Sequence, residues 1–328
     1  MSRLLNVEVR RFFARRITRW ACVALLVGIV AVGIGTFVSN DNDVAAAHRA
    51  AQATAENFAR EQQAAIADCQ AHQPPDQADQ CGTVDQTPSA AAFYRDPRFS
   101  FHDHVRDLIG TGTVIGSLVG LLLAASLIGA EWQAGTFAAL LTWEPRRPRV
   151  AAAKVAAVVL GSVAIAVVAT ALLLGVEALV AATHGTFGSV LQERPPQPHF
   201  AAGTWAMAGR GALVVAFVAA LGAGLALLLR HTVAAVGVAI GYLIVGEGII
   251  GSLRHGDVRH HLLQSRLDAL LNGRYVWPIP IRTPDGGVEF SPEHVRVVHA
   301  LAAGVEIGVV VAALLLVATV VLQRRDVT

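Results

Sequence analysis

The chain has 328 residues, of which 54% are hydrophobic and only 15% are charged, and its formal net charge is +2. Soluble globular domains carry about 25% charged residues, so this composition excludes an ordinary soluble domain and indicates a protein whose surroundings are largely lipid. With only three cysteines, the chain is also not a disulfide-rich scaffold or a multi-cysteine metal domain.

The chain begins with a basic and apolar segment. Residues 1–19 contain six arginines, interspersed with apolar residues such as Leu4, Val7 and Phe12. This pattern is typical of an amphipathic helix at a membrane surface, and we predict such a cytoplasmic interface helix over 1–19. A disordered basic segment is the alternative. A cleaved signal peptide fits less well, because no small-residue cleavage pattern directly follows the next apolar run.

Six apolar runs come close to or exceed the roughly 20 residues that a helix needs to cross the hydrocarbon core of a bilayer. They lie at residues 20–38, 108–130, 151–182, 205–229, 233–250 and 297–322. The sequence therefore predicts an all-α integral membrane protein with six transmembrane helices. The fifth span is the shortest, and residues 230–232 alone separate it from the fourth, which predicts a tight hairpin of two helices.

The distribution of basic residues predicts the orientation. Segments 1–19, 131–150, 230–232 and 323–328, together with Lys154, hold 13 basic and four acidic residues. The alternate segments 39–107, 183–204 and 251–296 are longer in total but hold 12 basic and 17 acidic residues. Basic residues concentrate on the cytoplasmic side of membrane proteins. We therefore expect both termini in the cytoplasm of a multi-pass protein of the plasma membrane.

Two of the outer segments have recognisable features. Residues 44–68 lack glycine and proline and favour a helix. Cys69 and Cys81 follow in the same segment, and because an outer compartment is oxidising we predict a disulfide between them, with two free thiols as the alternative. Residues 251–296 open with leucines at helical spacing, which predicts an interfacial helix that is re-entrant or lies flat on the membrane.

Four ionisable residues fall inside the predicted spans, all toward the outer half: Glu177, Arg210, Glu247 and Glu306. Charges inside a membrane are costly and normally face a partner or a water-filled cavity. They predict a polar outer vestibule in which Arg210 pairs with one of the glutamates. A plain interhelical ion pair, or a shifted helix boundary, is the alternative.

The second span carries Gly112, Gly116 and Gly120 at four-residue spacing. Small residues on one face of a helix allow the backbones of two helices to approach closely. We predict that these glycines form a helix-packing face. Whether the neighbouring helix belongs to the same chain or to a second copy stays open, and Gly237 and Gly241 repeat the spacing in the fifth span.

Catalytic signatures are missing from the sequence. It contains no Gly-x-x-x-x-Gly-Lys-Ser/Thr loop, no Gly-x-Ser-x-Gly elbow and no His-Glu-x-x-His pair. The histidines at 102 and 104 and at 255, 260 and 261 lack a further ligand at fixed spacing, so we interpret them as surface histidines and predict no metal site. We expect a non-catalytic membrane subunit that binds no cofactor itself.

The inner segment between the second and third spans carries the most specific pattern. It has an acidic residue, a tryptophan and a Gly-Thr pair, followed by a leucine-rich stretch and a Pro/Arg turn before Lys154. This pattern resembles the permease subunits of type-2 class ABC exporters. The Arg-rich N-terminal helix and the final Arg-Arg-Asp are also similar to that family, whereas the long segment 39–107 is a departure from its polysaccharide-exporting members. The matching positions are Glu131, Gly135, Thr136, Arg146, Arg147 and Lys154. The resemblance implies that the first five of these couple the chain to an ATPase and that Trp132 anchors the coupling helix at the membrane interface.

The resemblance implies an ATP-driven exporter. Its protein partners would be two ATP-binding cassette subunits, which hold ATP and magnesium, and a second permease that is identical or related. Membrane lipid would surround the complex. We expect no nucleic acid as a partner. The cargo would be amphipathic or apolar, such as a drug-like compound, a lipid or a peptide. Two other classes stay open: a membrane enzyme acting at the outer surface, and an ion-coupled transporter that uses Glu177, Glu247 and Glu306.

Overall fold

The computed structural model of the chain describes residues 2–40, 42–72, 81, 88–144, 146–190, 200–250, 262–282 and 288–324. The histidines at 255, 260 and 261 and the basic and acidic residues at 325 and 326 lie outside these ranges. Everything below refers to the described residues.

Among the described residues, six helices are long and apolar enough to cross a membrane, the same number as the spans predicted from the sequence. In chain order the helices before and within the first three spans are α1 (Ser2–Ala14), α2 (Arg16–Ser39), α3 (Val44–His72), α4 (Ala90–Phe93), α5 (Phe101–Gln133), α6 (Thr136–Trp143) and α7 (Arg147–His184). The remaining helices are α8 (Phe200–Leu229), α9 (Thr232–Gly241), a π-helix (Tyr242–Ile250), α10 (Leu263–Asn272) and α11 (Ala300–Arg324). The six candidate spans are α2, α5, α7, α8, α9 with the π-helix, and α11.

The chain divides into two compact units. The first comprises residues 1–30, 105–174 and 197–328. The second comprises residues 31–104 and 175–196. Each unit is described by itself below.

In the first unit, α5 packs closely against α7 along the predicted glycine face. A Cβ atom added at Gly116 would lie 2.7 Å from the Cβ atom of Ala166, which is closer than two such atoms approach in practice. The three glycines face residues of α7 that are themselves four apart: Gly112 faces Thr170, Gly116 faces Ala166 and Gly120 faces Ser162. The packing face predicted from the sequence therefore joins two helices of one chain.

The fifth span is only partly α-helical. After α9 the chain continues as a π-helix, in which each backbone N–H bonds to the carbonyl five residues earlier instead of four. The predicted span at 233–250 thus has the expected extent but a wider helix in its second half. Gly237 and Gly241 have no atom within 4 Å of an added Cβ, so unlike the glycines of α5 they face open space within the chain.

The segment after the fifth span holds a helix and a β-hairpin. A helix, α10, forms where the leucine spacing predicts one, and it packs on α8 and α11. Gly273, with φ +93°, ends it in a left-handed conformation. Strands β3 (Arg274–Arg282) and β4 (Val288–His299) then pair antiparallel, with Arg274 opposite His299. This hairpin corrects the purely α-helical prediction, and it moves the start of the last helix from 297 to Ala300.

The second unit is built around α3. The predicted helix at 44–68 is confirmed and extends from Val44 to His72. It packs on α4, where the ring centroids of Phe58 and Phe93 lie 5.7 Å apart. Two short strands, β1 (Phe99–Ser100) and β2 (Gly185–Thr186), pair in parallel within the same unit.

Candidate functional site

The amphipathic helix α1 is attached to the first unit through its apolar side. Phe12 is buried and its ring lies directly over Gly161 of α7, where a side chain of any size would collide with it. Phe13 packs edge-on against Phe12, with ring centroids 5.2 Å apart, and stays exposed. Helix α1 therefore has one face fixed on α7, while its other side is available to surroundings.

A buried ion network lies beneath α1. The ammonium group of Lys154 is completely buried and lies 3.0 Å from Oε2 of Glu8 and 2.5 Å from Oε2 of Glu131. The other oxygen of Glu131 accepts a hydrogen bond of 2.8 Å from Arg15. Arg11 adds a weaker contact of 3.5 Å to Glu8. Two carboxylates are thus balanced by basic groups, as buried charges require.

The network joins three segments that are distant in sequence. Glu8 lies in the middle of α1 and Arg15 lies between α1 and α2. Glu131 lies in the last turn of α5, and Lys154 lies in the second turn of α7. Removing Lys154 would leave two buried carboxylates without the cation they share, which is far more costly than losing a surface ion pair. The ends of these helices are therefore held as one body.

A short helix, α6, follows the network and fills the inner segment between α5 and α7. Gly135, with φ +68°, makes the turn into α6, a conformation that favours glycine because it has no Cβ. The hydroxyl of Thr136 donates to the carbonyl of Glu131, at 3.3 Å. The Gly-Thr pair thus sets the angle at which α6 leaves α5.

An aromatic stack holds the start of α6. The rings of Trp132 and Phe137 are nearly parallel, with centroids 4.3 Å apart. The guanidinium of Arg230, at the junction of α8 and α9, lies 4.3 Å from the centroid of the Trp132 ring. Cation–π contacts of this kind stabilise by about 0.5–2 kcal/mol. Trp132 therefore anchors α6 to the bundle.

The basic turn after α6 divides into two roles. Arg147 donates two hydrogen bonds to the carbonyls that end α11, at 2.9 Å to Leu322 and 3.3 Å to Gln323. A cation at a helix C-terminus satisfies free carbonyls and interacts favourably with the helix dipole. Arg146 instead points to the surroundings and is exposed. Arg146 and Arg147, which are adjacent in the sequence motif, therefore have different surroundings in the structure.

Helices α1 and α6 border a groove of about 550 Å³. Glu131 is one of its lining residues, although the side chain is only 10% exposed because it is held in the ion network. Trp143, at the end of α6, stands at the rim and is 89% exposed. The lining residues are Arg11, Ala14, Arg15, Glu131, Thr136, Ala139, Leu140 and Trp143.

Sequence reasoning missed several members of this site. The sequence prediction does not include Trp143, although an indole at the end of an apolar helix and next to an acidic residue is an unusual surface feature. For Glu8 and Arg15 the sequence predicts only a place in a basic amphipathic segment. The signal that could have found Glu8 is its type, since it is the single acidic residue among the first 40.

The intramembrane polar residues do not form the vestibule pair expected for Arg210. Within the described part of the first unit, Glu306 pairs with Arg266 at 2.9 Å, and Glu247 accepts a hydrogen bond of 3.1 Å from the backbone N–H of Gln264. Arg210 lies against Gly273, where the missing side chain makes room for its guanidinium. Among the described residues, α10 therefore gives Glu247 and Glu306 partners other than Arg210. Glu177 belongs to the second unit and is considered further below.

The two outer cysteines form a covalent link. The structure joins Cys69, near the end of α3, to Cys81 by a disulfide. Cys22 in α2 is a free thiol.

Comparisons with known proteins give no family assignment. No family model, no curated protein and no solved structure matches this chain. The groove, the ion network and the exposed Trp143 are therefore the basis on which a function is proposed.

Proposed function

We propose that this chain is the transmembrane subunit of an ATP-driven ABC exporter in the plasma membrane, and that the groove between α1 and α6 receives an ATP-binding subunit. The observation that carries the proposal is the exposed α6, with Trp143 at its rim and a buried ion network behind it. A movement of this surface caused by a bound subunit would be transmitted through the ion network to α1, α5 and α7 together. The chain itself would have no catalytic role.

Specific side-chain contacts would transmit a movement of α6 to the other helices. A displacement of α6 would reach α5 through the Gly135 turn and α8 through the stack of Trp132 on Arg230. It would reach α1 and α7 through Glu131 and Lys154, and α11 through Arg147. In this proposal Trp143 and Arg146 contact the ATPase, while Glu131 and Arg147 position the helices.

The complete exporter would contain two ATP-binding subunits, which hold ATP and magnesium, and a second permease of the same or a related kind. Alternating closure of the two permeases would move an amphipathic or apolar cargo outward. The support for this assembly is the resemblance of the inner segment together with the exposed surface that the segment forms.

The test is to purify the chain from its native host and to identify what accompanies it. We expect a nucleotide-binding protein and ATPase activity in the purified complex. A complex that transports cargo without any ATPase would refute the proposal.

A matched pair of variants sharpens that test. Trp143→Ala should reduce the amount of copurified ATPase at least several-fold while the chain remains folded, because Trp143 contributes a large exposed aromatic surface. Trp205→Ala is the control, since Trp205 is 78% exposed but lies at the start of α8. Equal losses from both variants would show that the tryptophans act only on folding.

A further inference from the structure

Glu177 is the most deeply buried carboxyl group of the second unit. It lies in α7, its side chain is 0% exposed, and its Oε1 atom is 3.1 Å from the hydroxyl oxygen of Thr36 in α2. Its second oxygen, Oε2, is buried and has no hydrogen-bond partner among the described residues. An ionised carboxylate needs several donors when it is removed from water, and this one has at most a single hydroxyl.

The hydrogen bonds of Thr36 add an independent constraint. Its hydroxyl oxygen is 3.1 Å from the carbonyl of Val32 and 3.1 Å from Oε1 of Glu177. A hydroxyl carries one proton, and a carbonyl can only accept. If Thr36 donates to Val32, the contact with Glu177 is a hydrogen bond only when the carboxyl group itself supplies the proton.

The neighbouring titratable groups are two histidines. His184 lies seven residues after Glu177 on the same face of α7, and its ring is tilted by 57° against that of Phe37, with the ring centroids 3.9 Å apart. Nδ1 of His184 is buried without a hydrogen-bond partner among the described residues. From α5, His104 interacts electrostatically with Glu177, and its Nδ1 lies 2.8 Å from the carbonyl of Ser100. In the described contacts α2 contributes the Thr36 hydroxyl and the Phe37 ring, and neither carries a charge.

We propose that Glu177 is a proton-binding site, whose carboxyl group holds a proton at neutral pH and donates a hydrogen bond to the hydroxyl oxygen of Thr36. The neutral form satisfies both ends of the contact: Thr36 donates to Val32 and accepts from Glu177. The charged form would need water or a protonated His104 beside it. Any movement that separates α2 from α7 and admits water would therefore release a proton, and closure would take it up. This inference is independent of the ATP-driven mechanism proposed above.

The test is infrared spectroscopy of the purified, membrane-reconstituted chain. The difference between the wild-type and Glu177→Gln spectra at neutral pH should show the loss of one carboxylic-acid C=O band, and that band should move to lower frequency in D₂O. Gln is the appropriate replacement because its amide can donate to Thr36 as the protonated carboxyl does. Glu306→Gln is the control: Glu306 is half exposed and paired with Arg266, so this variant should lose carboxylate bands instead.

A second variant keeps the proposal testable if Glu177→Gln does not fold. Thr36→Val removes the acceptor at nearly constant volume, and it should move the same carboxylic-acid band to higher frequency. Loss of carboxylate bands in Glu177→Gln would overturn the proposal. So would a Thr36→Val spectrum in which no carboxylic-acid band moves.

Discussion

At the scale of single residues, Lys154 shows how a charge can be kept away from water. Its ammonium group lies between two carboxylates, and Arg15 completes the balance from the far side of Glu131. The two carboxylates depend on Lys154 most, because it is the completely buried cation that they share. The network therefore favours one arrangement of α1, α5 and α7 over looser ones.

Replacing Lys154 by Met should lower the free energy of unfolding by about 3–5 kcal/mol, since Glu8 and Glu131 would face each other without their shared partner. Thermal or denaturant unfolding of the detergent-solubilised chain measures this loss. The combined variant Glu8→Gln/Lys154→Met should recover part of it. Arg149→Gln is the control, because Arg149 forms a long, partly exposed contact of 3.9 Å with Glu144 and should change stability by about 1 kcal/mol or less. Equal effects of the two single variants would contradict the role given to the network.

Asp96 predicts a dependence on acid pH. Hydrogen bonds from the Arg98 side chain hold the pKa of the Asp96 carboxyl below its ordinary value of 3.8. The shortest of them joins Nη2 of Arg98 to Oδ2 of Asp96 at 2.6 Å. Because this pKa is lower in the folded chain, the ionised form stabilises the fold above the ordinary value, and that contribution disappears as pH falls through the folded pKa. The Tm of the wild type should exceed that of Asp96→Asn at neutral pH, and the difference should shrink below about pH 4.

The control for that titration is Asp68→Asn. The side chain of Asp68 is 78% exposed, so its removal should change Tm little at any pH. A difference between wild type and Asp96→Asn that stays constant down to strongly acidic pH would show that the Arg98 contact does not stabilise the ionised form.

At the scale of elements, the contact of α5 with α7 depends on missing side chains. Three glycines of α5 each lie against a small residue of α7, so the two backbones approach closely. The close approach increases the van der Waals attraction between the two helices, which larger residues would prevent. In lipid this attraction stabilises helix contacts in place of the hydrophobic effect.

Gly116→Ala should destabilise the chain by about 1–3 kcal/mol, because the added methyl group would lie 2.7 Å from that of Ala166 and the helices would have to separate. Gly237→Ala is the matched control, with no atom within 4 Å of the added group. It should be neutral or stabilise by up to about 1 kcal/mol, since alanine favours helix more than glycine does. Thermal unfolding of both variants measures these changes in stability. The prediction fails if Gly116→Ala is as stable as the wild type.

The β-hairpin after α10 is an element that the sequence analysis does not predict. Prolines at 278 and 280 argue against a strand in a sheet interior, and they are tolerated here because the sheet has only two strands. The signal that could have revealed it is the pair of runs rich in β-branched and aromatic residues on either side of Asp285-Gly286, a dipeptide typical of hairpin turns.

At the scale of the whole molecule, the features predicted correctly are those set by local sequence. A span needs about 20 apolar residues in a row, and an amphipathic helix needs one periodic pattern; both can be read without knowing any tertiary contact. The ion network could not be predicted in this way, since Glu8 and Lys154 are 146 residues apart. The partners of Glu247 and Glu306 depend on where α10 packs, and nothing in the spans themselves encodes that position.

The disulfide between Cys69 and Cys81 has a practical consequence for determining the orientation of the chain. Cys22 is the only other cysteine, so the protein carries one free thiol before reduction and three afterwards. Intact cells treated with a mild impermeant reductant and then with an impermeant maleimide should gain label at positions 69 and 81, if residues 39–107 face the outside as the charge distribution predicts. The same labelling obtained only in inside-out vesicles would reverse the assigned orientation. The native sequence thus contains its own topology reporter, and no engineered cysteine is required.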